Sequence, residues 1–246
     1  MSQDEVSGRL EALGFARREA GILADHFLDA EARGRDGHGL SRIDWLASLP
    51  DLDPGARPER VAAKEGYERW EGRGALGYLT LAEIVEAQLA APPAHARVVV
   101  AGECFPTGAL GYWVRRLAEG GLVGALTATS PARLSHPQGS ELLAGTNPLA
   151  IAIPSSDGRP LVADVSMGKV THGDVLVGKA RPEDLVPFGG EQAHKAFALA
   201  VGLQLLVDAL TGAENYGAVL VVARPEADPV PALRARAPGV RLPGDR

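Results

Sequence analysis

The chain reads as a mixed α/β fold with a helical N-terminal region, and three features of the sequence predict it. Through residue 49 the apolar residues recur at helical spacing, without the alternation of a half-buried strand. Beyond that point helix-like segments and short apolar runs follow one another, the pattern of helices packed on a sheet. Two of those runs, PLAIAIP and PLVADVS, flank the polar turn SSDGR and read as a hairpin.

Taken in order, Ser2 and Glu5 have the spacing of a capping box, and Val6, Leu10 and Leu13 follow on one face until Gly14. A second helix is predicted from Arg17 to Arg33, with Leu23, Phe27 and Ala30 on one face and Gly34 as its stop. SRIDWLASL makes a short third helix that ends at Pro50. The segment from Asp51 to Lys64, rich in proline and charge, is predicted as an extended connection. TLAEIVEAQLA and YWVRRLAEG are helix-like, and RVVVAG and LVGALTAT are strand-like. The apolar stretch around Phe197 to Leu210 is expected to be a buried core helix and not a membrane span, because Gln204 and Asp208 interrupt it. GAVLVVARP is a last strand, and the tail ending GVRLPGDR is loop-like.

Charge and composition exclude several functions. The 246 residues are 46% hydrophobic, with 25 basic against 31 acidic side chains and a formal net charge of −6. Both signs are interspersed, so no basic stripe exists for a phosphate backbone and no nucleic-acid partner is expected. A lone cysteine, Cys104, rules out an internal disulfide framework and fits a reducing compartment. The first residues are acidic and helix-like, unlike a basic leader. A soluble cytoplasmic protein with no membrane partner is expected.

One motif invites a nucleotide-binding reading. Gly72-x-Gly74-x-x-Gly77 opens a helix, and Glu103 stands where a ribose-binding acid is expected. The fingerprint needs a buried strand before its first glycine, and Glu65–Glu71 is too polar for a central one. The motif is therefore read as a glycine-rich turn into a helix and not as a Rossmann site.

A scattered constellation coheres better. It comprises Gly34-x-Asp36-x-His38-Gly39-x-x-Arg42, Gly145-Thr146-Asn147-Pro148-Leu149-Ala150, Asp164 closing PLVAD, Pro187-Phe188-Gly189-Gly190, His194-Lys195, Leu210-Thr211-Gly212-Ala213 and Leu242-Pro243-Gly244. In this order the motifs resemble the type 2 malate/L-lactate dehydrogenase family (LDH2/MDH2-like), whose members include reductases of 2-oxo acids and of cyclic ketimines. The resemblance implies a non-Rossmann α/β fold with a mixed sheet. It also implies NADPH or NADH as cofactor, a small carboxylate-bearing substrate, and a homodimer. It divides the chain into an N-terminal helical region, residues 1–64, a mixed α/β core with the cofactor site, residues 65–224, and a tail, residues 225–246, packed back on the N-terminal region.

Residue by residue, the resemblance makes His38 the acid that protonates the substrate and Arg42 the clamp on its carboxylate. A group that titrates near neutrality suits such proton transfer, and the glycines around His38 suggest close ligand approach. Asp164 is implied to orient or polarise His38. Thr146 and Asn147 are implied on the substrate side, and Gly145, Pro148, Lys169, His172, His194 and Lys195 on the cofactor side. Without the resemblance the same residues read as a turn histidine, a helix-surface arginine, a strand-end aspartate, a structural turn and a solvated helix terminus.

Several positions depart from the family pattern. Gly37 stands where a serine usually precedes the histidine, and Gly102-Glu103-Cys104-Phe105-Pro106 replaces a segment that carries a second active-site histidine. Cys104 reads as a small buried residue, not a nucleophile. Asp174 occupies the position of a cofactor-facing lysine and would repel a pyrophosphate unless Lys169 or Lys179 compensates. Ala196 and Ala198 replace small glycines, and the segments between Asp174 and Asp184 and after Arg224 are shortened. Two catalytic readings follow, and a third, a non-catalytic dimeric partner of the same fold, is disfavoured by the retained His38 and Arg42. One is an NAD(P)H-dependent reductase of a cyclic imine or 2-oxo acid, the imine being preferred and specialised biosynthesis the setting. The other is a non-redox descendant that lost the cofactor and uses His38 for isomerisation, cyclisation or elimination.

Overall fold

The computed structural model describes residues 1–212 and 215–245, so Ala213, which closes one of the motifs, lies outside the described residues. The N-terminal helices form where the spacing places them, α1 over Gln3–Ala12 and α2 over Arg17–Ala32. The predicted box caps α1: the Glu5 N–H donates to Ser2 Oγ at 3.3 Å and the Ser2 N–H to Glu5 Oε2 at 2.7 Å. Val6 and Leu10 meet Leu23, Ala24 and Phe27 in the main core. A short 3₁₀ turn, Asp36–His38, then leads into α3, Ser41–Ala47.

Seven strands make one mixed sheet in the order β1-β2-β3-β9-β4-β7-β8. They are β1 (Glu59–Lys64), β2 (Tyr67–Glu71), β3 (Ala96–Gly102), β4 (Val123–Ala128), β7 (Leu149–Ile153), β8 (Leu161–Val165) and β9 (Ala218–Ala223), with β5 (Leu134–Ser135) and β6 (Leu142–Ala144) forming a separate small ribbon. Only β2 and β3 pair in parallel within the large sheet, and the predicted hairpin is β7 with β8.

Two expectations fail at the edge of this sheet. The end of the supposed connection is β1, and the segment judged too polar is β2, second from the edge. The alternation explains β2: Glu68 and Trp70 turn inward, and the buried Glu68 carboxylate is satisfied by Gln88 Nε2 at 2.9 Å, Trp70 Nε1 at 3.1 Å and Arg97 Nη1 at 3.2 Å. A buried charge with three donors is tolerated in a strand, a fact that polarity counting misses. The glycine-rich turn after β2 is nevertheless taken up by contacts within the fold. The Arg73 N–H, which a phosphate would accept from, donates to Glu103 Oε2 at 2.9 Å, and a side chain on Gly77 would collide with the backbone of Cys104–Pro106.

Helices α4 (Gly77–Ala90) and α5 (Leu110–Glu119) cover one face of the sheet, packing with α2 over Val99, Ala101, Leu126, Ala150, Leu220 and Val222. The opposite face carries α7 (Ala193–Thr211), anchored through Val207 on Val100 and Val219. The expected buried core helix is a correction: only Ala193, Ala196, Ala200 and Val207 of α7 are buried, and Leu199, Leu205, Leu206 and Leu210 are exposed. Among the described residues, 190–211 is the one stretch long and apolar enough to cross a membrane by length and composition. Apolar composition records that a surface avoids water and does not say what covers it. In the tail, α8 (Val230–Arg236) precedes a segment docked on β8, where the Val162 N–H donates to Pro243 O at 3.1 Å.

Candidate active site

The histidine loop, the start of α5, the strand ends after β4 and β8 and the turn before α6 (His172–Leu176) enclose a cavity of about 470 Å³. That size lies within the ~300–1,000 Å³ of small-molecule sites. His38, Arg42, Asp164, Thr146, Pro148 and His172 all line it, so residues spread over more than half the chain converge.

The glycines around His38 serve packing and not ligand approach. A side chain on Gly37 would strike Gly173 C at 2.6 Å and Asp174 N at 2.8 Å, which explains the missing serine. One on Gly39 would collide with the Glu31 carboxylate, which accepts the Leu40 N–H at 2.9 Å. Arg42 is buried on α3, donating from Nε to Gly37 O at 2.7 Å with its guanidinium 5.0 Å from the Trp45 ring centroid. It therefore fixes the turn that bears His38 while facing the cavity.

His38 Nδ1 is shielded and has no hydrogen-bond partner among the described residues. Burial, then the cations Arg42 and Arg35, push its pKa down to about 4, with Asp174 opposing. Asp164, expected to orient it, is bonded elsewhere: it pairs with Arg35 and accepts the Gly111 N–H at 3.0 Å. The second buried imidazole, His26, accepts the Ala109 N–H on Nε2 at 3.1 Å and stacks on Trp113, 5.5 Å between centroids. It thereby holds the Thr107–Leu110 wall. Burial first, then the His38 field, push its pKa down to about 3.

Other sequence candidates lie away from the cavity. Asn147 is wholly buried beneath it, donating from Nδ2 to Ala200 O at 3.1 Å and to Gln204 Oε1 at 2.9 Å, so it ties α7 to the turn and cannot grip a substrate. Gly145 is packed against Ser130 and Asn147 and is not in the cavity wall. Lys169 is paired with Asp184 at 2.9 Å; Lys179 is paired with Asp36 and also feels the Asp174 carboxylate, its backbone N–H donating to Asp174 O at 2.9 Å. Asp174 caps its own helix, accepting from the Thr171 N–H at 2.8 Å. His194 and Lys195 are exposed on the first turn of α7, outside the cavity lining. Cys104 is buried, and desolvation pushes its thiol up to about 12, so it is no nucleophile.

Sequence reading missed Arg35, Tyr78, Ser130 and Arg133, all of which line the cavity. Arg35 was inside the histidine motif, but Arg133 sits in a stretch without periodicity and carried no local signal. A second cavity of about 280 Å³ adjoins the first across Arg35, Ala109 and Asp164, bordered also by Arg115, Arg241 and Gly244.

With this geometry in place, the comparisons agree on the class. Residues 2–185 match the malate/L-lactate dehydrogenase family, and the chain belongs to it. It is 35% identical over 179 residues to the (2R)-3-sulfolactate dehydrogenase (NADP(+)) of Chromohalobacter salexigens, covering 72% of this chain and 54% of that one. It is 30% identical to the Delta(1)-pyrroline-2-carboxylate/Delta(1)-piperideine-2-carboxylate reductase of Pseudomonas putida, covering 85% of this chain and 70% of that one. The chain thus spans about half the length of the first relative. The crystal structure of delta1-piperideine-2-carboxylate reductase from Pseudomonas syringae pvar. tomato superposes with a TM-score of 0.84 at 23% identity, over 99% of this chain and 89% of that one, and so shares the fold.

Proposed function

We propose that the protein is an NAD(P)H-dependent reductase of a small carboxylate-bearing 2-oxo acid or cyclic imine, working as a homodimer. The observation that carries the reading is the convergence of His38 and Arg42 on one cavity. The relatives' names, a sulfolactate dehydrogenase and a pyrroline/piperideine carboxylate reductase, support the same substrate chemistry.

The residues present fit a dinucleotide. Ser130 Oγ is a buried hydroxyl in the cavity wall without a partner among the described residues, and the two adjoining cavities provide an elongated, arginine-bordered space. Thr146, Pro148 and Ser166 would hold it on the reaction side and Arg241 in the second cavity. When bound, it supplies the hydride and is left oxidised.

Arg42 takes the substrate carboxylate, its guanidinium already held by Gly37 O and Trp45. That carboxylate cancels part of the positive field that keeps His38 neutral, so the imidazole gains basicity as substrate arrives. His38, having taken up a proton from solvent once the substrate carboxylate is in place, gives it to the carbonyl oxygen or imine nitrogen as the C=O or C=N π bond breaks, and is left neutral. The exposed leucine face of α7 is the surface a second copy would cover.

Titration with NADPH and NADH, followed by nicotinamide fluorescence and calorimetry, tests the reading. Saturable micromolar binding with turnover of a 2-oxo acid or cyclic imine is the expected outcome. A folded protein that binds neither would sink it. The non-redox reading, favoured by Asp174 in the cavity wall with both nearby lysines engaged, would then stand. Light scattering tests the dimer: Leu206→Glu should convert it to monomer.

A further inference from the structure

Resting on that reading, we propose that Arg133 is a specificity-determining residue that grips a second anionic group, so that the substrate is a dianion held between Arg42 and Arg133. Three guanidiniums and two carboxylates line the cavity, from Arg35, Arg42, Arg133, Asp164 and Asp174. Asp164 is taken by Arg35, and Asp174 accepts the Thr171 N–H and hydroxyl at 2.8 and 2.7 Å. Arg42 is anchored to a neutral carbonyl and a ring. Arg133 has neither a hydrogen bond to its guanidinium nor an ion pair among the described residues, although it is partly buried and desolvation lowers its pKa. A partly buried guanidinium without an acid keeps only part of its hydration and gains from an anion that arrives.

Its position assigns that anion to the substrate. Arg42, Arg133 and His172 line the same cavity, so the two cations address one chamber from different segments. A 2-oxo acid or cyclic imine with a second carboxylate or a sulfonate satisfies both arginines, whereas a monocarboxylate leaves one of them unpaired.

The test compares pyruvate with oxaloacetate and 3-sulfopyruvate as substrates, using the full chain and the variants Arg133→Met and Arg133→Lys. The wild type should prefer the dianions by at least about 30-fold in kcat/KM, expressed mainly in KM. Arg133→Met should reduce that ratio at least tenfold, and Arg133→Lys should recover part of it. Calorimetry with malonate against acetate is read in parallel and does not depend on turnover. Tighter malonate binding that Arg133→Met abolishes would uphold the dianion site even if no reductase activity is found. Equal use and binding of mono- and dianions, or a ratio unmoved by Arg133→Met, overturns the proposal. A loss of discrimination between NADPH and NADH in Arg133→Met, with the substrate ratio intact, also overturns it and gives the guanidinium to the cofactor. Circular dichroism confirms that each variant is folded.

Discussion

The wall of the cavity that comes from residues 34–45 and the wall built from residues 129–148 and 171–174 are made on different terms. In the first, Arg35 is paired with Asp164, Arg42 is bonded to Gly37 O and laid over Trp45, and Glu31 holds the Leu40 N–H. In the second, Thr171 and Asp174 bond each other, but Ser130 Oγ and the Arg133 guanidinium have no hydrogen bond or ion pair among the described residues. A wall whose arginines are bonded keeps its geometry whatever enters and holds the unpartnered His38 Nδ1 in place for proton transfer. A wall with unsatisfied groups is completed by its ligand, which suits selection.

The largest effect should come from the first wall. Replacing His38 by Gln should lower kcat/KM for reduction by roughly 10²–10⁴-fold, the usual worth of general acid catalysis, with Tm unchanged. A loss below threefold in steady-state assays would take the proton-transfer role from that wall. Because the free-site His38 pKa lies at about 4, kcat/KM for reduction should fall tenfold per pH unit above that value, while alcohol oxidation, which needs neutral His38, should level off above about pH 5. An optimum for reductive kcat/KM at pH 8 would contradict this.

Next in size is Arg42→Ala, which should cost about 10²-fold in kcat/KM, the worth of a charge-assisted bond of roughly 1.5–3 kcal/mol, and should also lower Tm because Gly37 O loses its donor. Arg133→Met should leave Tm unchanged, so thermal melts of the pair sharpen the contrast between a bonded and an unbonded arginine.

A smaller effect concerns the support behind the first wall. The His26 pKa in the fold lies far below the 6.5 of an ordinary imidazole, so below pH 6.5 the unfolded chain binds a proton that the fold rejects. Stability is complete above about pH 6.5 and is lost as pH falls toward 3, reaching about 2 kcal/mol at pH 5 from this group alone. His26→Gln keeps an acceptor for the Ala109 N–H and removes the titration, so its melting temperature should fall less between pH 7 and pH 5. An identical drop in both proteins would release His26 from that role.

Much of the fold was legible because it is local. The Ser2–Glu5 box, the stop at Gly14, the β7–β8 hairpin and the stretch carrying His38 and Arg42 depend on neighbours a few residues away, and spacing records such neighbours. The role of a side chain was legible only where its partner was near in sequence. Asp164 looked like the orienter of His38, yet its partners, Arg35 and Gly111, are brought to it by a sheet and a helix that no short window contains. Glu68 looked too polar for a strand because its donors, Gln88 and Arg97, come from α4 and β3.

Helical and alternating periodicity, the caps and the order of the motifs were therefore set by the chain alone. Tertiary structure decided which apolar face stays open, as on α7, which glycines serve packing, as at Gly37, and which cation has no acid beside it among the described residues, as at Arg133. Propensity is a property of consecutive residues, whereas burial and pairing belong to groups that folding brings together, and the chemistry of this cavity depends on the second.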